Sequence, residues 1–437
     1  MKPIDLGERL GRWSSGRGPL PVLLSARLRR LIDEGELPPG EPLPPDRALA
    51  TALAVGRSTV VAAYEELRRE GRIVRRQGSG TRVAGAGQGA AAARTPRPTT
   101  GAPVFLHLLE PRDGVIPLAC AAPSAPPREL VDAYAAMLPR LAATAGDIGY
   151  YPAGHPELRQ AIADRYAALG IATGPERILV TGGAQQALSL LASALLVPGD
   201  RVLTEAPTYP GALEAFRGEA AVTHGLPVGL TGLRAAVREH RPALAYVIPT
   251  FHNPTGLVLP PLRRRALAET AVAAGVPLID DEVLSELAFP GEPVPPPLAS
   301  SAGSVISVGS LSKVAWAGLR VGWVRAPEPL IARLTRLRVV GALGGSVPDQ
   351  LAAARLLPRL GPLIARQAAQ REAGHDHLRA GLARYLPDWE APPVRGGQTL
   401  WVRLPRGDGS SFAQEALQHQ VAVLPGSGFD PSGQSED

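Results

Sequence analysis

The chain has 437 residues, 45% of them apolar and 20% charged, a globular composition too long for one ordinary domain. One cysteine, Cys120, excludes an intrachain disulfide and reads as a small buried residue in a reducing interior. No apolar run of transmembrane length and no charged-then-apolar leader at Met1 is present, so a cytoplasmic protein without a membrane partner is expected.

The net charge of +6 is unevenly placed: residues 1–83 hold fifteen basic and ten acidic side chains, while the remainder is nearly balanced. A basic amino-terminal module suits nucleic acid, although an arginine-rich solvated face would carry the same charge. Within it, Leu20 to Ile32 places Val22, Leu23, Leu28, Leu31 and Ile32 at helical spacing, with Arg27, Arg29 and Arg30 opposite. Pro44-Pro45-Asp46 starts a short helix running from Arg47 to about Leu53. Ala54-Val55-Gly56 is a tight turn, and Arg57-Ser58-Thr59 opens a longer helix to Arg69 with Val60, Tyr64 and Leu67 inward. Two helices so joined make a helix-turn-helix arrangement whose second helix enters the major groove. Arg72–Arg76 and Thr81–Val83 alternate as two strands around the turn Gln77-Gly78-Ser79-Gly80, a wing.

Leu43-Pro44-Pro45-Asp46-Arg47, Val55-Gly56-Arg57-Ser58-Thr59-Val60 and Gly78-Ser79-Gly80-Thr81 closely resemble the GntR family of winged-helix repressors. The resemblance implies that Arg47, Arg57, Ser58, Thr59, Gln77 and Gly78 touch DNA. Gly56 departs from it, standing where the family usually has Ser or Thr. Residues 1–83 are thus the expected DNA-binding domain. Residues 84–104 have almost no bulky apolar side chain and read as a flexible tether.

From residue 105 to 437 short β-branched runs alternate with helical ones. Strands are expected at Arg177–Thr181, Arg201–Thr204, Ala243–Ile248, Val276–Asp280, Ser304–Val308 and Leu319–Val324, with a helix from Ala184 to Leu196 after the first. The alternation predicts a mostly parallel, helix-covered sheet that binds ligands at the carboxyl ends of its strands.

Polar motifs fall at those ends. Gly182-Gly183-Ala184-Gln185 offers backbone N–H groups for a phosphate. Tyr209 in Pro207-Thr208-Tyr209-Pro210 could stack on a flat ring or lie half-buried in its loop. Asn253-Pro254-Thr255-Gly256 could be a turn or supply a donor at Asn253. Asp280-Asp281-Glu282 could bind metal or hold a protonated ring nitrogen; with no His or Cys cluster nearby, no metal is expected. Ser310-Leu311-Ser312-Lys313, followed by Arg320, joins two hydroxyls and a guanidinium to an amine. Only Lys2 and Lys313 among 46 basic residues are lysine. A chain that otherwise uses arginine has kept one internal amine able to form a Schiff base, unless it survives merely as a surface charge.

In this order the set resembles the fold type I aminotransferases, which use pyridoxal 5′-phosphate. The resemblance implies an α/β transferase body with a large sheet domain and a smaller C-terminal subdomain. It implies that Lys313 condenses with the cofactor aldehyde and that Ser310, Ser312, Arg320 and the Gly183-Ala184-Gln185 backbone hold the phosphate. Tyr209 would stack on the ring, Asn253 would bond its phenolic oxygen, and Asp281 would pair its nitrogen. Tyr150, in Gly149-Tyr150-Tyr151-Pro152, resembles the tyrosine that reaches the partner subunit's phosphate, with Tyr151 as a substitute. Two departures stand out. Val283 and Leu284 occupy the places of a frequent tyrosine. No arginine follows Pro425-Gly426-Ser427-Gly428-Phe429, so the expectation is either a truncated chain or a missing substrate-carboxylate contact.

A winged helix tethered to such a body resembles the MocR subgroup of GntR regulators. The expectation is a homodimeric, pyridoxal-phosphate-dependent transcription factor rather than an enzyme. It would bind an operator of repeated half-sites and sense an amine, an amino acid or the cofactor itself. A working aminotransferase with an accessory module, and a DNA-binding protein whose body only dimerises, are the alternatives. The four histidines His155, His224, His240 and His252 are read as solvated, and Trp316, Trp323 and Trp401 as core.

Overall fold

The computed structural model of the chain describes residues 3–11, 13, 20–53, 55–76, 80–84, 114–120, 122–143 and 146–431. The chain divides into two compact units, Met1–Gly101 and Ala102–Asp437. The tether expected over 84–104 lies outside the described residues from 85 onward.

The first unit contains α1 (Pro3–Leu10), α2 (Leu20–Asp33), β1 (Pro42–Leu43), α3 (Asp46–Ala52), α4 (Arg57–Arg69), β2 (Ile73–Arg76) and β3 (Gly80–Val83). The helix-turn-helix is α3 and α4; β2 and β3 form the antiparallel wing. β1 pairs with the free side of β3, giving the order β1-β3-β2. Neither α1 nor β1 follows from the sequence reading, and a two-residue strand has no alternation to detect. Leu6, Leu24, Leu28, Leu31, Leu49, Val60 and Leu67 build the core. Tyr64 joins them, and its buried hydroxyl donates to the Pro44 carbonyl at 2.9 Å, as a buried hydroxyl must find an acceptor. Val22 was expected on the buried stripe of α2 but is 53% exposed. The stripe runs instead through Leu24, Leu28 and Leu31, one turn apart, and leaves Val22 on the solvent side.

The second unit is built on seven strands: β5 (Ile178–Thr181), β6 (Arg201–Ala206), β7 (Val222–Pro227), β8 (Leu244–Val247), β9 (Leu278–Asp281), β10 (Ile306–Ser310) and β11 (Gly322–Arg325). Their order is β5-β11-β10-β9-β8-β6-β7, and every pairing is parallel except those of β11 with β5 and β10. Most strands are buried on both faces, which explains their continuous apolar runs. Tyr246, Ile279, Val308 and Val324 face the helices Ala184–Leu195 and Glu328–Ala342. Val180, Val247, Leu278 and Trp323 face the opposite layer, with Ile162 and Tyr166 of the helix Pro156–Ala168. A 26-residue helix, Leu360–Tyr385, and the helix Gly409–Gln418 follow. β12 (Val421–Ala422) then pairs in parallel with β4 (Ile116–Pro117). Among the described residues no helix is long and apolar enough to cross a membrane.

Three expectations are corrected here. Cys120 is exposed rather than buried. His155 and His252 are 3% and 0% exposed, not solvated. His155 caps the helix Pro156–Ala168, its ring nitrogen accepting from the Glu157 N–H, and His252 faces a buried carboxylate. His224 and His240 are half-buried and stack on each other with centroids 4.2 Å apart. Trp323 is buried, Trp316 packs on the core, and Trp401 meets Phe429 edge-on at 5.7 Å.

Candidate cofactor site and DNA-reading helix

Because β11 runs against its neighbours, Ser310 at the end of β10, Gly322 at the start of β11 and Thr181 at the end of β5 lie in one row. The loop from Leu311 to Val321 therefore leaves and returns at the same rim, where the helix Ala184–Leu195 begins. Gly183, the N-cap of that helix, has φ +114°, a conformation open to glycine. A Cβ there would sit 2.9 Å from Arg320 Nη2, and one on Gly322 would sit 2.7 Å from the Gly183 carbonyl carbon. The guanidinium of Arg320 thus lies on the bare backbone of the helix start. Arg320 itself is in the left-handed region at φ +52°, a strained conformation that clusters at functional sites. Positive helix-end charge, free N–H groups and a guanidinium form a cradle for a dianion.

Ser310 Oγ is buried, accepts from the Ser312 N–H at 3.2 Å and lies 3.1 Å from Ser312 Oγ. Lys313 follows, half-buried, and Gln398 Nε2 donates to its carbonyl at 3.5 Å. Burial lowers the proton affinity of its amine, against the smaller opposing effects of Cys120 and Asp281. An amine so placed supplies the neutral nucleophile more readily than one in water.

Asp281 ends β9 with 5% exposure. One oxygen accepts from the Tyr246 hydroxyl at 2.6 Å and the other from the Val283 N–H at 3.1 Å. Burial raises its pKa and these two donors oppose the rise, as does Lys313. The charges of Asp281 and Lys313 each favour the ionised form of the other. Strand alternation sends the flanking acids to the other face, which separates the three carboxyls that the sequence presents as a run. Asp280 accepts from the Leu298 N–H at 2.9 Å, and burial pushes it up to about 7. Glu282 accepts from the Tyr166 hydroxyl at 2.8 Å, and burial with the Asp280 charge pushes it up to about 8. Among the described residues no three His, Cys, Asp or Glu gather to hold a metal.

Tyr209 is half-buried at the N-terminus of the helix Pro210–Gly218, and its hydroxyl is 3.1 Å from Gln185 Oε1. Burial pushes that hydroxyl up to about 12. Gln185 also donates to the Gly211 carbonyl at 2.7 Å, so its side chain ties two helix starts together while its backbone stays at the cradle. Asn253 is half-buried in the loop after β8. Val283 and Leu284, two and three places after Asp281, carry no hydroxyl. Tyr150 is 62% exposed, whereas the Tyr151 hydroxyl donates to Asp147 within the chain. Of the two tyrosines, Tyr150 is the one open to solvent.

Tyr246, the partner of Asp281, is the candidate-site residue that the sequence reading missed. It sits inside an apolar strand and looks like core; only its register with Ile279, two residues before Asp281, aims its hydroxyl at that carboxylate.

In the first unit Arg57 opens α4 and Arg47 lies on α3, both exposed, with Thr59 half-buried. Arg57 Nε donates to Asp46 Oδ2 at 3.0 Å, which holds the guanidinium across the helix-turn-helix. The side chain of Ser58, and all of Gln77 and Gly78, lie outside the described residues.

Two family models match. Residues 24–83 match the bacterial regulatory proteins of the gntR family, and residues 115–434 match aminotransferase class I and II. The HTH-type pyridoxine biosynthesis transcriptional regulator PdxR of Corynebacterium glutamicum is 31% identical over 86% of this chain and 82% of its own. The probable rhizopine catabolism regulatory protein MocR of Rhizobium meliloti is 30% identical over 96% and 92%. The crystal structure of LysN, an α-aminoadipate aminotransferase of Thermus thermophilus solved with N-(5′-phosphopyridoxyl)-L-leucine, superposes with a TM-score of 0.69 at 29% identity. It covers 77% of this chain and 88% of that one. With a winged-helix head of one family and a body of the other, aligned nearly end to end with such regulators, the chain belongs to the MocR subgroup of GntR transcriptional regulators.

Proposed function

We propose that the protein is a transcriptional regulator whose body holds pyridoxal 5′-phosphate on Lys313 and whose winged helix binds an operator of repeated half-sites. The observation that carries this is a half-buried Lys313, whose proton affinity burial lowers, together with a buried Asp281 and a cradle that a single Cβ on Gly183 would fill. When bound, the cofactor supplies an electrophilic aldehyde and an electron-withdrawing ring.

The chain's own residues divide the work of holding it. Ser310, Ser312, Arg320 and the backbone of Gly183, Ala184 and Gln185 take the phosphate; Tyr209 covers the ring; Asn253 donates to its phenolic oxygen; Asp281 faces its nitrogen. Tyr150 reaches the phosphate of a second subunit in a homodimer. The body responds to an amine or amino acid that competes for the site. Such an effector shifts the two winged helices only if it binds their two arrangements with different affinity. In the head, Arg47, Arg57, Ser58, Thr59 and the wing residues Gln77 and Gly78 meet the DNA.

Footprinting the full chain on the DNA upstream of its own gene, with and without pyridoxal phosphate, tests this reading. The expected pattern changes with cofactor in the wild type, is insensitive to cofactor in Lys313→Ala, and is lost in Arg57→Ala. A footprint indifferent to cofactor in the wild type refutes the sensor.

A further inference from the structure

Glu205 has no solvent exposure, and the site described above does not use it. It stands near the end of β6, where its two oxygens accept from the N–H groups of Gly229 and Ile248 at 2.7 and 2.8 Å. One carboxylate thereby ties together the ends of β6, β7 and β8. His252 is equally buried, and its Nε2 lies 3.3 Å from Glu205 Oε2. The other ring nitrogen, Nδ1, lies 2.9 Å from Thr255 Oγ1 and accepts from the Thr255 N–H at 3.4 Å. With Nδ1 accepting, the ring hydrogen belongs on Nε2, which lies near the carboxylate without hydrogen-bond geometry to it. The loop is also closed on itself: the His252 N–H donates to the Leu257 carbonyl at 2.8 Å, and the Gly256 N–H donates to that of His252 at 2.6 Å.

The loop is turned by Phe251, a buried aromatic residue at φ +49°, where a bulky side chain is strained. Gly396 makes room for it, since a Cβ there would meet the Phe251 ring at 2.5 Å. Strain of this kind persists where the surroundings over-determine a conformation. Asn253 is the next residue after His252.

We propose that Glu205 and His252 are positioning residues, a buried clamp that fixes the loop so that Asn253 meets the phenolic edge of the bound cofactor. The proposal rests on the reading of Asn253 as a cofactor contact. Burying a carboxylate is costly unless its acceptors are filled, and here the N–H groups that fill them belong to Gly229 and to Ile248, at the strand end from which the loop departs.

The test uses the full chain with pyridoxal 5′-phosphate as probe, and reads the ratio of its visible to near-ultraviolet absorbance at fixed pH. Asn253→Ala is expected to change that ratio. His252→Leu should change it in the same direction, and the double variant should go no further than Asn253→Ala alone. His252→Gln, which restores an N–H toward Glu205, should recover most of the wild-type ratio. A folded His252→Leu protein with the wild-type spectrum overturns the clamp, as do fully additive effects. If His252→Leu does not fold, Thr255→Val takes its place, with a smaller shift expected and no shift refuting. An unchanged spectrum in Asn253→Ala defeats both the contact and the clamp. Failure of the wild type to bind the probe defeats the cofactor reading itself.

Discussion

The Tyr246 hydroxyl donates to Asp281 Oδ2 across 2.6 Å, with both residues buried. A short O–H···O⁻ bond favours the ionised carboxylate that a protonated ring nitrogen needs opposite it. Tyr246→Phe removes the donor and leaves the ring packed on Phe216, so the fold should survive. The dissociation constant for pyridoxal phosphate is expected to rise roughly tenfold, the equivalent of about 1.4 kcal/mol, as measured by absorbance titration.

Gly183→Ala places a methyl against Arg320 and forces an L-residue to φ +114°. Gly275→Ala is the control: it also has positive φ, with nothing within 4 Å of its Cβ. Both should lose about 1–2 kcal/mol of stability from backbone strain. Only Gly183→Ala should also lose cofactor affinity, by at least about tenfold (about 1.4 kcal/mol). Equal losses of affinity would remove the cradle from the argument.

Glu282 is held protonated by burial, up to about 8 against an ordinary 4.5. Between those values the folded body keeps a proton that the unfolded chain has released. Stability should therefore fall as pH rises from about 5 to about 8, then level off. Glu282→Gln still accepts from Tyr166 and cannot ionise. Its melting temperature, followed by calorimetry, should exceed that of the wild type by a margin that grows with pH. In that variant Asp280, pushed up to about 7, should leave a residual fall in stability below that point, shallower than the wild type's.

Arg57→Ala removes an exposed cation that Asp46 holds at the start of α4. Operator binding should weaken by about 1–3 kcal/mol, and the dependence of log K on log salt should shallow by about 1 if the contact is to phosphate. An unchanged slope with weakened binding would assign Arg57 to a base edge instead. Anisotropy titrations at several salt concentrations separate the two.

Much of this was legible before any coordinates. The glycine, asparagine, aspartate and lysine motifs each follow a strand, and a parallel sheet has no choice but to bring its strand ends to one rim. What stayed hidden was packing across strands. Tyr246 is a polar residue inside an apolar run, and nothing local distinguishes it from core; Glu205 follows Thr204 at a strand end, where nothing local points a carboxylate inward. His252 read as solvated because loops usually are; its burial comes from Glu205, 47 positions earlier in the chain. Val22 and Leu24 lie about 200° apart around α2, on opposite faces, and with apolar side chains on both the pattern alone favours neither. Cys120 is a small residue that a propensity argument sends inward and the fold leaves outside.

β11 is the one strand of its sheet that runs backwards. As a result, two hydroxyls, the amine and the guanidinium come from one uninterrupted ribbon of eleven residues, Ser310 to Arg320. They travel as a cassette: an insertion inside the ribbon would change the spacing among the four, while one at another strand end would leave that spacing intact. That predicts where natural variation in length can accumulate in this body without erasing its anchor.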